Sequence, residues 1–132
     1  MSIKIDQAFI QAYIDNNFDI DTAYENENYT PTAGTPYIEL ININNDITPL
    51  SVTDSNETDG IFRLILRWPL LQGAIAPKIK ANEIITAFKI GTKVCYAGDC
   101  AAVTNTSIDR GYAEDGWYKL ILTIGYYAIL GR

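Results

Sequence analysis

Between Gly60 and Gly91 the sequence changes its apolar period once, and that change restricts the folds open to the chain. In Gly60-Ile61-Phe62-Arg63-Leu64-Ile65-Leu66-Arg67-Trp68-Pro69, Phe62, Leu64, Leu66 and Trp68 fall on one side of a pleated strand. Ile61, Arg63, Ile65 and Arg67 fall on the other. Pro69 has no amide proton to give to a ladder, so the strand is predicted to stop there. A turn through Gly73 follows, with Pro77 at a first helical position. Ile79, Ala81, Ile84, Ile85 and Phe88 then recur at helical spacing, while Lys78, Lys80, Asn82, Glu83 and Lys89 lie mostly elsewhere on the wheel. Gly91 suits the helix stop. The pattern describes a central strand feeding an amphipathic helix that folds back over it, and nothing in the unit is catalytic in type.

The flanking segments fit around that unit. Ile5, Ala8, Phe9, Ala12 and Tyr13 form the stripe of a first helix over 3–17, with Ser2 as N-cap and Asp6 in the first turn. Phe18, Ile20, Thr22 and Tyr24 alternate with Asp19, Asp21 and Ala23, which predicts a short strand with an acidic, edge-like face. Glu25 to Pro36 reads as a loop punctuated by Pro31, Gly34 and Pro36, and Tyr37 to Ile43 as a strand. Asn44 to Asp59 is polar; Ile47, Leu50 and Val52 allow an irregular edge strand inside it, and its second half is expected to be mobile. Thr92 to Ala97 and Cys100 to Thr106 suggest a hairpin, and Asp109 to Gly116 a polar connection. In the last strand, Trp117 to Leu130, Tyr118, Leu120, Leu122, Ile124 and Tyr126 make one apolar face, and an antiparallel place beside the central strand is expected.

The fold class that results is α+β, a mostly antiparallel mixed sheet with two helices packed against it. A chain of 132 residues fits one domain over 1–132 and buries roughly two-thirds of its unfolded surface without staples. Its core is expected to comprise Leu64, Leu66, Trp68, Leu120, Leu122 and Ile124, closed by Phe9, Ile84 and Phe88.

Charge and residue types narrow the chemistry. A net charge of −6 disfavours phosphate backbones, so no sequence-specific nucleic acid is expected as a partner. The start Met1-Ser2-Ile3-Lys4-Ile5-Asp6 has no apolar h-region, and no apolar run approaches about 18 residues, so the expectation is a soluble, intracellularly made protein with no membrane partner. There is no histidine, which removes Ser-His and Cys-His activation and most zinc and iron sites. Cys95 and Cys100 are spaced neither as a redox pair nor as half of a zinc site. Across a hairpin tipped by Gly98-Asp99 they could face each other, where a disulfide would contribute only about 2 kcal/mol, and a reducing cytosol favours free thiols.

The carboxylate pairs Asp19 with Asp21 and Glu114 with Asp115 read as solvated. Asp54-x-Asn56-x-Thr58-Asp59-Gly60 superficially matches a calcium loop, but Gly60 comes one residue late and position 65 is Ile, so it reads as a polar loop. No catalytic, cofactor-binding or metal-binding residue is expected. Most aromatics fall on faces predicted to be buried, whereas Tyr29, Tyr96 and Tyr112 fall in loops, where aromatics more often mark contact surfaces.

The segment Tyr24-Glu25-Asn26-Glu27-Asn28-Tyr29-Thr30-Pro31-Thr32-Ala33-Gly34-Thr35-Pro36-Tyr37-Ile38 resembles the phage tail terminator-like (tail completion) family. Glu25-Asn26, Pro31 and Gly34-Thr35-Pro36-Tyr37 carry the likeness, which continues in the glycine-opened strand at Gly60, the helix ending near Phe88-Lys89-Ile90-Gly91 and the strand led by Gly116-Trp117-Tyr118. It covers most of residues 3 to 128, and Arg67-Trp68-Pro69 departs from it. The resemblance implies a lambda-type tail terminator-like fold and a structural virion protein of a phage or prophage, without catalytic residues or cofactors. It implies a ring, usually hexameric, at the head-proximal end of the tail, which ends tube polymerisation and joins the tail to the head. The partners implied are other copies of the chain, the tail tube protein and a head-completion or connector protein, with synthesis in the bacterial host cytoplasm. Another neck or connector protein is the alternative within that assembly, and a small ligand-binding domain the alternative outside it. The surface residues expected at a subunit or tail-tube interface are Tyr29, Asp46, Asp54, Asn56, Glu57, Asp59, Arg63, Arg67 and Tyr112.

Overall fold

The computed structural model describes residues 3–24, 30, 34–44, 48–49, 55–70, 75–96, 98–114 and 116–131. The elements in chain order are α1 (Ile3–Asn16), β1 (Asp21–Ala23), β2 (Tyr37–Asn44), β3 (Thr48–Pro49), β4 (Ser55–Pro69), α2 (Ile75–Ala87), β5 (Lys93–Tyr96), β6 (Asp99–Ile108), β7 (Tyr112–Glu114) and β8 (Trp117–Gly131). The strands form one sheet in the order β1-β2-β4-β8-β6-β5, with β3 added to β4 and β7 to β8. The β1–β2 pair is parallel and the others are antiparallel, so the class is α+β with a mixed sheet and two helices.

The alternation in β4 places the core. Its register with β8 sets Phe62 opposite Ile124, Leu64 opposite Leu122, Leu66 opposite Leu120 and Trp68 opposite Tyr118. All the apolar residues expected in the core are buried, from Leu64 and Leu66 on the sheet to Phe9, Ile84 and Phe88 above it. α1 contributes Ile5, Ala8, Phe9 and Tyr13 to this side. Phe9 stacks obliquely on Phe62 at 5.1 Å and on Tyr126 at 4.9 Å between ring centroids, within the range where aromatic pairs attract beyond their burial. Both helices therefore share one face of the sheet.

The central strand is longer than its apolar pattern. It starts at Ser55, not Gly60, so Ser55 to Asp59, in the half of the segment expected to be mobile, belong to the sheet's middle. The cause lies in β8, which runs on to Gly131 and pairs Ser55 through Asp59 along their backbones. A ladder needs amides and carbonyls, not apolar side chains, so polar residues extend it wherever a partner strand continues. Thr48–Pro49 form a small edge strand on β4, and residues 45–47 and 50–54 lie outside the described residues.

α2 is also set differently. It starts at Ile75, two residues before Pro77, and its buried stripe is Pro77, Ala81 and Ile84, continued by Phe88. Pro77 remains in the first turn, where its missing amide has no intrahelical acceptor to lose. That rotation turns Ile79, expected on the apolar stripe of the helix, outward to 63% exposure. The strand expected over 18–24 contracts to three residues, because Asn17 and Asp19 take left-handed backbone conformations (φ 49° and 57°) that redirect the chain out of α1. Within the polar connection, Tyr112–Glu114 pair with β8 as β7.

Candidate functional site

β4 and β8 carry odd-numbered residues on the face turned away from the helices, and the register assembles these into rows. Tyr37, Arg67, Lys119 and Tyr112 stand side by side across β2, β4, β8 and β7. The Arg67 guanidinium lies 5.8 Å from the Tyr37 ring centroid, and its Nη2 donates to Glu39 Oε1 at 3.2 Å. Lys119 Nζ donates to Glu114 Oε1 at 2.7 Å and sits 5.7 Å from the Tyr112 ring centroid. Trp117 meets Tyr37 edge-on at 5.2 Å.

The row thus alternates aromatics with cations, each cation anchored by one carboxylate. The hydrogen bond and charge of Lys119 hold the Glu114 carboxyl below its ordinary range, and the same bond raises the Lys119 ammonium. The next row is Glu39, Ile65 and Ile121, and the one after it sets Ile41, Arg63, Thr123 and Ser107 abreast. The Nε atoms of Arg63 and Arg67 are buried without a hydrogen-bond partner among the described residues. Arginine and aromatics on a half-covered surface are the composition enriched where proteins meet proteins.

Of the interface residues expected from sequence, this face brings together Arg63, Arg67 and Tyr112. Arg63 and Arg67 are half-buried and Tyr112 is 41% exposed. Asp59 is exposed further along β4, opposite Tyr127. Asn56 and Glu57 are not loop residues but rungs of the ladder, opposite Leu130 and Ile129. Tyr29, Asp46 and Asp54 lie outside the described residues. Sequence reasoning missed Tyr37, Glu39, Glu114, Trp117 and Lys119. Parity was the available signal: Trp117 and Lys119 alternate with the Tyr118-Leu120-Leu122 face, and Glu39 stands between Ile38 and Leu40.

Three further features stand apart from these rows. Near its middle, β6 shifts register between Val103 and Asn105, and the Asn105 side chain closes over Gly125, where a Cβ would stand 2.0 Å from Asn105 Oδ1. A hollow of about 570 Å3 opens there between Asp59, Ile61, Thr104 and Tyr127. The outward side of α2 shows Ile75 and Ile79, and Ile90 just beyond it is 65% exposed. At the sheet's end, Cys95 and Cys100 face each other across the β5–β6 hairpin and are joined as a disulfide, in place of the free thiols expected. Directly opposed cross-strand positions bring two cysteines within bonding reach whatever the compartment favours.

Among the described residues, no group of three or more His, Cys, Asp or Glu side chains is placed to hold a metal ion, and no helix is long and apolar enough to cross a membrane. The geometry is one of contact surfaces. A family model described as phage tail terminator protein matches residues 4–126. The chain belongs to the phage tail terminator protein family. That family is structural, which makes the chain a structural component of a phage tail. A solved structure that carries no functional name superposes with a TM-score of 0.77 at 19% identity, covering 93% of this chain and 92% of its own, and shows the same fold. No curated protein matches the sequence.

Proposed function

We propose that this chain caps the head-proximal end of the tail tube, ends tube polymerisation there and joins the tail to the head connector, acting as a ring of identical subunits with six as the expected number. A lambda-type arrangement of the subunit fold goes with that reading. Its partners are further copies of itself, the tail tube protein and a head-completion protein. The observation that carries it is the family match over residues 4–126, on a sheet whose second face has no helix over it among the described residues. An unlidded face rich in arginine, isoleucine and aromatic side chains supplies the broad, shallow surface that docking on a tube end requires.

Deleting the coding gene from the producing phage tests the proposal. The expected particles are filled heads without tails beside tubes well beyond normal length. Tubes of normal length that fail to join heads would instead assign the chain to the neck or connector.

A further inference from the structure

The sheet ends in β1 on one side and β5 on the other; neither has a further strand beside it among the described residues, and α1 packs against β5. The two ends differ in charge. Beside β1, Asp19 and Asp21 are exposed at the mouth of a hollow of about 440 Å3, floored by Tyr13, Phe18 and Pro36 and rimmed by the half-exposed Ile14. Among the described residues, no lysine or arginine lines it. Lys80, which approaches from α2, donates to the Phe18 carbonyl and pairs with Glu83. At the opposite end, Lys93 on β5 and Lys89 just before it are exposed, with Ile90 and Tyr96 beside them as exposed apolar groups. The disulfide cross-links this hairpin.

We infer that the ring closes by head-to-tail contact between these ends, the lysine-bearing β5 edge of one copy seating against the aspartate-rimmed β1 hollow of the next. The inference rests on the ring reading above and adds its contact surfaces. Charge selects the geometry. A two-fold contact would set Lys93 against Lys93 or Asp21 against Asp21, whereas the head-to-tail contact pairs opposite signs at every junction. It also covers apolar groups left open on both sides, Ile14 on one copy and Ile90 and Tyr96 on the other. A cross-linked hairpin lowers the ordering cost of the contact.

The test is light scattering of the full chain across concentration at low and high salt, for the unaltered protein, Asp21→Lys, Lys93→Glu and the chain carrying both. Each single reversal should raise the concentration needed for assembly by roughly tenfold or more at low salt, with the difference shrinking as salt screens the contact. The combined variant should return to within about threefold of the unaltered chain, because the junction again joins opposite signs. That recovery also excludes misfolding as the cause of the single defects, since both substitutions remain present. Rings that form equally well in both single variants, or a combined variant that stays dissociated, overturn the edge contact while leaving the ring itself standing. An unaltered chain that is monomeric at every concentration overturns the ring reading and this contact together.

Discussion

Leu66 is fully buried in the core, opposite Leu120. Leu66→Ala should destabilise by about 2–5 kcal/mol, the range for large-to-small changes in a packed core. Urea unfolding checks it, and a loss under about 1 kcal/mol would place this side chain outside the core. Two tyrosines give the core a pH signature. Burial pushes the Tyr13 phenol up to about 12, against a partial offset from its 2.7 Å hydrogen bond with Thr22. Burial, then the negative charges of Asp6 and Asp59, raises Tyr126 further. A raised folded value favours the neutral phenol in the fold, so its stabilisation is complete below the unfolded value near 10 and is lost as pH climbs through 12. Spectrophotometric titration should show part of the phenol absorbance appearing only with unfolding above about pH 10. All nine tyrosines ionising together near pH 10 with the fold intact would contradict the burial of both.

The elements legible in the sequence were those whose side chains alternate against one core, as in Phe62 to Trp68 and Tyr118 to Tyr126. Ser55 to Asp59 escaped notice because pairing with β8 is a property of the backbone, and polar side chains leave no periodic mark of it. Ile79 was misplaced for a related reason: α2 has isoleucine on both its inner and outer sides, so spacing alone does not fix the rotation. These corrections change what a deletion should do. Removing Asp54 to Thr58 takes out the rungs from Ser55 to Thr58 against Ala128 to Gly131. It should lower the melting temperature by several degrees, where a mobile loop would have left it unchanged. The disulfide belongs to this scale as well. It closes a short loop at the sheet's end, so Cys95→Ser with Cys100→Ser should cost about 2 kcal/mol and raise amide exchange first in β5. Exchange that rises equally in β4 would show that the hairpin is coupled to the whole core.

In the whole molecule, two helices cover one face of the sheet and leave the other without a helix among the described residues, where no group of three or more His, Cys, Asp or Glu side chains is placed to hold a metal ion. The surface was only partly readable beforehand. Arg63 and Arg67 could be placed on it by parity within β4, but their neighbours Tyr37 and Lys119 come from β2 and β8, and only the register brings them together. Arg67→Glu sets a like charge against Glu39 and removes the cation over Tyr37. It should weaken tail completion by tenfold or more, and because the pair is part-buried, with 16% of the Arg67 side chain exposed, a fall in melting temperature of several degrees should accompany it. In the function proposed above, this chain stops a growing tail tube at one end. Electron microscopy of tubes polymerising from purified tube protein, with the chain added at a series of ratios, measures that directly. Tubes should stop lengthening at one labelled end, with mean length falling as the ratio rises; lengths unaffected by the chain at any ratio would contradict the account.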